Sequence, residues 1–135
     1  MLTNRVIHEV SEPVYLSQEA ASITQLLLKE LESHPNAVGI AAPQIGILKQ
    51  LILCKINGKW IPMINPTWKP RYSELKESKE GCLSFPGEVR KMKRQYRIEV
   101  EYLDILMQPQ SMKLTGLASY IVQHECDHLE GKTIC

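Results

Sequence analysis

Long apolar runs are missing from this chain: the longest is Leu51 to Cys54, and runs such as Leu26 to Leu28 are shorter still. A helix needs roughly 20 apolar residues to cross a bilayer, so a soluble protein without a membrane partner is expected. Net charge is nearly absent too. Sixteen Lys and Arg against fifteen Asp and Glu leave +1, too little for a global pull toward nucleic acid, an anionic membrane or acidic substrates. Specificity therefore has to be local. The exception is the basic run Arg90, Lys91, Lys93, Arg94 and Arg97, interleaved with Met92, Tyr96 and Ile98; it reads as a strand with one solvated face, able to meet an acidic partner. No charged start, apolar stretch and small-residue cleavage site can be found in MLTNRVIHEV, so the expected compartment is the cytoplasm. Repeats, low-complexity tracts and linkers are missing as well. What is there is 135 residues, read as one domain over 1–135 that can bury about two-thirds of its unfolded surface. Its four cysteines, Cys54, Cys82, Cys126 and Cys135, fit ligand or buried-thiol roles better than disulfides in a protein that is not secreted.

Apolar residues at Ala20, Ile23, Leu27 and Leu31, with Leu26 widening the stripe, predict a helix between Ser17, as N-cap, and Ser33, closed by His34-Pro35. KQLILCKI, then Asn57-Gly58, then KWIPMINP predicts a hairpin, because Asn-Gly accepts the positive φ angles of a type I′ turn. Pro62 should turn its missing N–H toward an edge or an irregularity. Tyr96, Ile98, Val100 and Tyr102 alternate with charged residues as in a half-buried strand, residues 66–79 are polar and broken by proline, and a second helix is expected over Leu117 to about Leu129. The sum is α+β, antiparallel strands with a helix near each end.

The second helix carries the chemistry. It contains His124-Glu125-Cys126-Asp127-His128, and side chains four apart share a helix face, so both imidazoles can reach one ion with Glu125 beside it as general base. Leu117 and Ile121 fall on that side, making it the buried face. A third ligand decides the class. The longer pattern HExxHxxGxxH is followed through Gly131 but ends on Ile134 where a histidine belongs, and too little chain follows for a downstream glutamate. Upstream, His8 and His34 read as surface residues and Cys54 as a buried thiol in an apolar strand. Cys126, about 200° around the helix, reads as packing. Cys82, in KEGCLSFPG between a glycine and a turn, is the best thiolate, since the backbone there can approach an ion closely. Two imidazoles and one thiolate leave a position open for water, which is the catalytic kind of site and points to hydrolysis of an amide-like bond.

In AVGIAAPQIG the small residues allow close packing, and Gln44 is a neutral donor able to hold negative charge developing on an oxygen. Alone, this stretch reads rather as a tight loop leading into the strand KQLILC, with Gln44 on the surface. Together, GIAAPQ at 39–44, EGCLS at 80–84 and QHECDHLEG at 123–131 resemble, in order and spacing, the three signature motifs of the peptide deformylases.

That resemblance implies removal of the formyl group from the initiator methionine of nascent polypeptides, with release of formate. It implies Cys82, His124 and His128 as metal ligands, with Fe²⁺ native and Zn²⁺, Ni²⁺ or Co²⁺ able to take its place. Glu125 would be the acid/base, Gln44 and the Leu83 N–H would stabilise the oxyanion, and Glu80 and Arg94 would form a structural ion pair. Gly39 would bind peptide backbone along an edge strand, next to Val38 and Ile40, and Leu117, Tyr120 and Ile121 would line the methionine pocket with Val38 and His124. The expected partners are N-formyl-methionyl peptides, met by a monomer with a transient ribosome contact. Two departures stand out: Ala37 replaces the first glycine of the usual GxGxAAxQ, and the chain stops at Cys135 where typical members continue into a tail. It thus resembles the compact, phage-like deformylases, and a ribosome contact that depends on a tail is in doubt. Competing readings are a metallopeptidase cutting internal bonds and a metal-binding module without turnover.

Overall fold

The computed structural model describes residue 2, residues 8–82 and residues 85–132, with the side chains of 82, 85 and 86 also outside the description. Helix α1 (Ser17–Leu31) precedes β1 (Gly39–Ala41), a 3₁₀ turn (Ala42–Ile45), β2 (Leu51–Ile56) and β3 (Lys59–Pro70). Then come β4 (Leu75–Cys82), β5 (Phe85–Gln95), β6 (Arg97–Leu103), β7 (Pro109–Thr115) and α2 (Leu117–Leu129). Strands β1-β2-β3-β6-β7 form one antiparallel sheet, and β4-β5 form a second, two-stranded one.

The short apolar run Leu51–Cys54 explains the layering. Successive strand residues face opposite sides. Leu51 and Leu53 pack with Ala20, Ile23, Leu27 and Leu31 of α1, whereas Ile52, Cys54 and Ile56 pack with Ile121, Val122, Cys126 and Leu129 of α2. Strand β2 is buried on both faces over Leu51–Cys54, so that stretch is continuously apolar rather than alternating, and Lys55 is exposed beyond it.

The predicted hairpin forms, with Asn57 at φ 52° and Gly58 at φ 78°. Pro62 lies in the part of β3 that has run past the end of β6, so its missing N–H costs no ladder bond there. Helix α1 begins at Ser17, with Leu16 rather than Ser17 at the N-cap and no side-chain cap. Its buried stripe takes in Thr24, while Leu26 is 38% exposed. Residues 66–79, expected as a loop, are mostly strand: β3 continues to Pro70 and β4 begins at Leu75. The prolines are accommodated because Pro66 sits at a bulge between Ile64 and Thr67 and Pro70 at the strand's end. Strand β4 lacks an apolar alternation because its sheet has only two strands and Leu75, Lys76, Glu77 and Lys79 face solvent.

Candidate active site

Helix α2 lies against β1, β2 and β5, and its inner face brings His124 and Glu125, but not His128, to a cavity of about 380 Å³. Val38, Gly39, Gln44, Glu80, Leu117, Tyr120, Ile121, His124 and Glu125 line it, with Ala37 at the same wall. Ile40 does not. Alternation along β1 sends its side chain into the α1-side core, fully buried, so only its main chain is left for any role in binding. Cys82 ends β4, its backbone paired with Phe85; its side chain, and Leu83 and Cys135 altogether, lie outside the described residues.

Glu80, Arg94, His124 and Asp127 form one array, buried at Glu80 and Arg94 and half-buried at His124 and Asp127. Arg94 Nε and Nη2 donate to Glu80 Oε2 and Oε1 at 3.0 and 2.7 Å, and Nη1 donates to Asp127 Oδ2 at 2.6 Å. Glu80 Oε1 also accepts from His124 Nδ1 at 2.8 Å. Burial pushes the Glu80 carboxyl up, but the hydrogen bonds from His124 and Arg94 and the guanidinium charge outweigh it and hold it at about 2. Glu80 is thus ionised and fixes His124 as the tautomer with its proton on Nδ1, leaving Nε2 as the lone-pair nitrogen. Burial lowers the His124 imidazole's proton affinity, yet Glu80 and Glu125 raise it overall.

His128, 1% exposed, is driven down to about 3 by burial and then by the charges of His124 and Arg94, so it is neutral. The two rings meet edge to face, centroids 5.2 Å apart. Glu125 is 4% exposed, and burial lifts its carboxyl to about 7. Its Oε1 is buried without a hydrogen bond among the described residues.

Gly39 explains how that carboxylate fits. A Cβ there would lie 2.5 Å from Glu125 Oε2 and 2.9 Å from its Cγ, so any side chain on β1 would displace the Glu125 head. Gly39→Ala should leave the fold intact, since the flexible carboxylate can swing away, but lower turnover by about 10²-fold, the scale of a 1 Å misplacement. Circular dichroism and a turnover assay check both halves, and full turnover would detach Glu125's position from catalysis.

Gln44, 2% exposed, sits in the 3₁₀ turn that Gly46 closes at φ 85°. The Ala41 N–H donates to its Oε1 at 2.9 Å, which fixes the orientation of the carboxamide. Of the rejected thiols, Cys54 is fully buried and Cys126 packs in the α2-side core. His34 bonds Glu30 at 3.0 Å and is half-buried, and His8 is exposed.

Three participants escape a reading of the sequence. Asp127 was visible only as the acid inside the motif, three residues after His124. Gln123 and Ser119, four apart on α2 and both buried, bond the backbone of Gln95. A polar pair at helical spacing, outside the His-Glu motif, was the available signal.

The polypeptide deformylase family matches residues 1–135. The chain belongs to that family. Peptide deformylase 1 of Nostoc sp. is 37% identical over 136 residues, covering 96% of this chain and 72% of the relative. The PDF of the Vibrio parahaemolyticus bacteriophage VP16T, solved in complex with actinonin, superposes with TM-score 0.90 at 28% identity, covering 99% of this chain and 98% of that one. The peptide deformylase of Thermotoga maritima gives TM-score 0.88 at 32% identity, covering 97% and 89%. The chain is therefore a deformylase by family and an enzyme by class, and the α+β fold expected from the sequence is that of these relatives.

Deformylases are metalloenzymes, and the residues present fit an ion. Two imidazoles share one helix face, one neutral by burial and the other held by an ionised carboxylate. The unpartnered Glu125 oxygen and the raised proton affinity of His124 mark a place where positive charge is favoured. Among the described residues no third side chain completes a set of three with them.

Proposed function

We propose that this chain, as a single catalytic domain over 1–135, hydrolyses the formyl amide of N-formyl-methionyl peptides and releases formate. Supporting this is one arrangement: a buried carboxylate, Glu125, pressed against Gly39 of β1 at the wall of a cavity shared with His124 and Gln44. We assign Cys82, His124 and His128 as ligands of one divalent ion, Fe²⁺ in the native protein, with Zn²⁺, Ni²⁺ or Co²⁺ able to occupy the same donors. Bound there, the ion supplies Lewis acidity at the reacting oxygen.

The chain's own groups do the rest. Glu125, whose proton affinity lies near neutrality, takes a proton from the attacking water and returns it to the departing amine nitrogen. The Gln44 carboxamide and the Leu83 N–H donate to the oxygen that becomes negative as the formyl carbon turns tetrahedral. Glu80 keeps His124 in its tautomer, and Arg94 keeps Glu80 ionised. Gly39, flanked by Val38 and Ile40, receives the peptide's backbone as an added strand on the free side of β1. The methionine side chain enters among Val38, Leu117, Tyr120 and Ile121; Ile121 is 6% exposed and Leu117 67%, which gives the pocket an apolar floor and an open lip.

The test pairs a formate-release assay on formyl-methionyl peptides with the same peptides unformylated, using protein purified without oxygen and analysed for metal. Formate from the first set and no cleavage of either backbone is the expected result. Internal cuts would replace the reading with that of a metallopeptidase, and a metal-loaded protein without turnover would reduce it to a binding module.

A further inference from the structure

Strand β5 ends at Gln95, its last pair being with Leu75 of β4, and the chain then bends at Tyr96 into β6, which belongs to the other sheet. Backbone groups at such a handover lose their ladder partners. Gln123 of α2, 2% exposed, supplies them. The Gln95 N–H donates to Gln123 Oε1 at 3.0 Å, and Gln123 Nε2 donates to the Gln95 carbonyl at 2.8 Å, so one carboxamide stands in for a strand. Ser119, fully buried one turn earlier, tightens the clasp: its Oγ donates to the same carbonyl at 2.8 Å and accepts from Gln123 Nε2 at 2.9 Å. The Gln123 amide is also 3.2 Å from the Ser119 carbonyl.

The neighbours of the clasped residues give it meaning. Arg94 immediately precedes Gln95, and His124 immediately follows Gln123. Arg94 has to reach Glu80 on β4 and Asp127 on α2 at once, and Glu80 has to meet His124 Nδ1, all within 2.6 to 3.0 Å. Sliding of β5 along the helix, or rotation of the helix, would break that set. We infer that Gln123, with Ser119, is a positioning residue for deformylation: it locks β5 to α2 one residue away from Arg94 and His124, and so sets the orientation of the His124 imidazole through Glu80. The role in turnover rests on the deformylase reading; the role in orienting His124 does not.

A plug that only satisfied the Gln95 backbone would affect stability and nothing else, so the test reads the imidazole itself. Gln123→Met keeps the side-chain length and removes donor and acceptor; Ser119→Ala removes the hydroxyl alone. In the full chain, with and without zinc, ¹⁵N NMR of His124 should show a single tautomer protonated at Nδ1 for the unsubstituted protein. Gln123→Met should show mixed tautomers with faster exchange of that proton. Its kcat on a formyl-methionyl peptide should fall about 10- to 100-fold, the range for groups that orient a ligating histidine. KM should stay within about threefold, since the peptide contacts are untouched. Ser119→Ala should move both readings the same way to a smaller extent, and it decides the matter if Gln123→Met does not fold. A folded variant with the His124 signals and kcat of the parent overturns the inference. A changed His124 spectrum in a protein that releases no formate even before substitution keeps the clasp and removes the deformylase reading instead.

Discussion

Glu125→Gln should bind metal as well as the parent protein and lose about 10²- to 10⁴-fold in turnover, the usual contribution of a positioned acid/base. The change is nearly isosteric, so the fit against Gly39 and the cavity's shape persist, while the ability to accept and return a proton goes. Stability should not suffer. Glu125 is almost fully buried, and one of its oxygens has no hydrogen bond among the described residues. An ionised carboxylate in such a place is costly, whereas an amide needs no countercharge. Elemental analysis, single-turnover formate release and a thermal melt together check the claim. Parent-level turnover with full metal would take Glu125 out of the mechanism.

The largest stability effect should come from Arg94→Met. Arg94 is 6% exposed and is the cation between Glu80 and Asp127. Its removal leaves Glu80, itself 9% exposed, with only the His124 N–H and the Ser78 side chain as its side-chain partners among the described residues. Removing one member of a buried pair costs about 3–5 kcal/mol, because the remaining charge keeps its desolvation penalty without the compensating attraction. Urea unfolding should show that loss. Arg94→Lys should fall between, keeping the charge but not the fork that serves two carboxylates at once. A deficit under about 1 kcal/mol for Arg94→Met would mean that solvent screens the array as it screens surface pairs. By contrast, the exposed pairs Lys91–Glu77 and Lys76–Glu74, each at 4.0 Å, should contribute little, as surface pairs do.

The array also shows how far the sequence could be read. Glu80 and Arg94 were expected as an ion pair from resemblance alone, and the residues themselves gave no sign of it. Arg94 lies in a basic run whose members Arg90, Lys91 and Lys93 face solvent, and only the packing of α2 across β5 makes it a buried cation. Asp127 joins for the same reason. Elements whose signal is local were plain: the Asn57-Gly58 turn, the stripe of α1, and α2 over Leu117–Leu129. Elements whose stabilisation comes from a partner strand were not. Strand β7, PQSMKLT, buries only Leu114 and pairs with β6 on one side alone, so no alternation announces it. Strands β4 and β5 hold each other through backbone bonds, which any sequence can make.

By itself the amino-acid order determined the spacing of His124, Glu125 and His128 on one helix face and the apolar run, Leu51–Cys54, of strand β2. These follow from the helical repeat of 3.6 and the strand repeat of two, which local sequence carries. Tertiary structure alone decided that Glu80 orients His124, that Arg94 is buried between two carboxylates, that Ile40 turns toward α1, and that Gln123 clasps the end of β5. Each of those depends on contacts between residues distant in the chain, and a contact of that kind exists only once the sheet has brought α2 and the β4–β5 pair together.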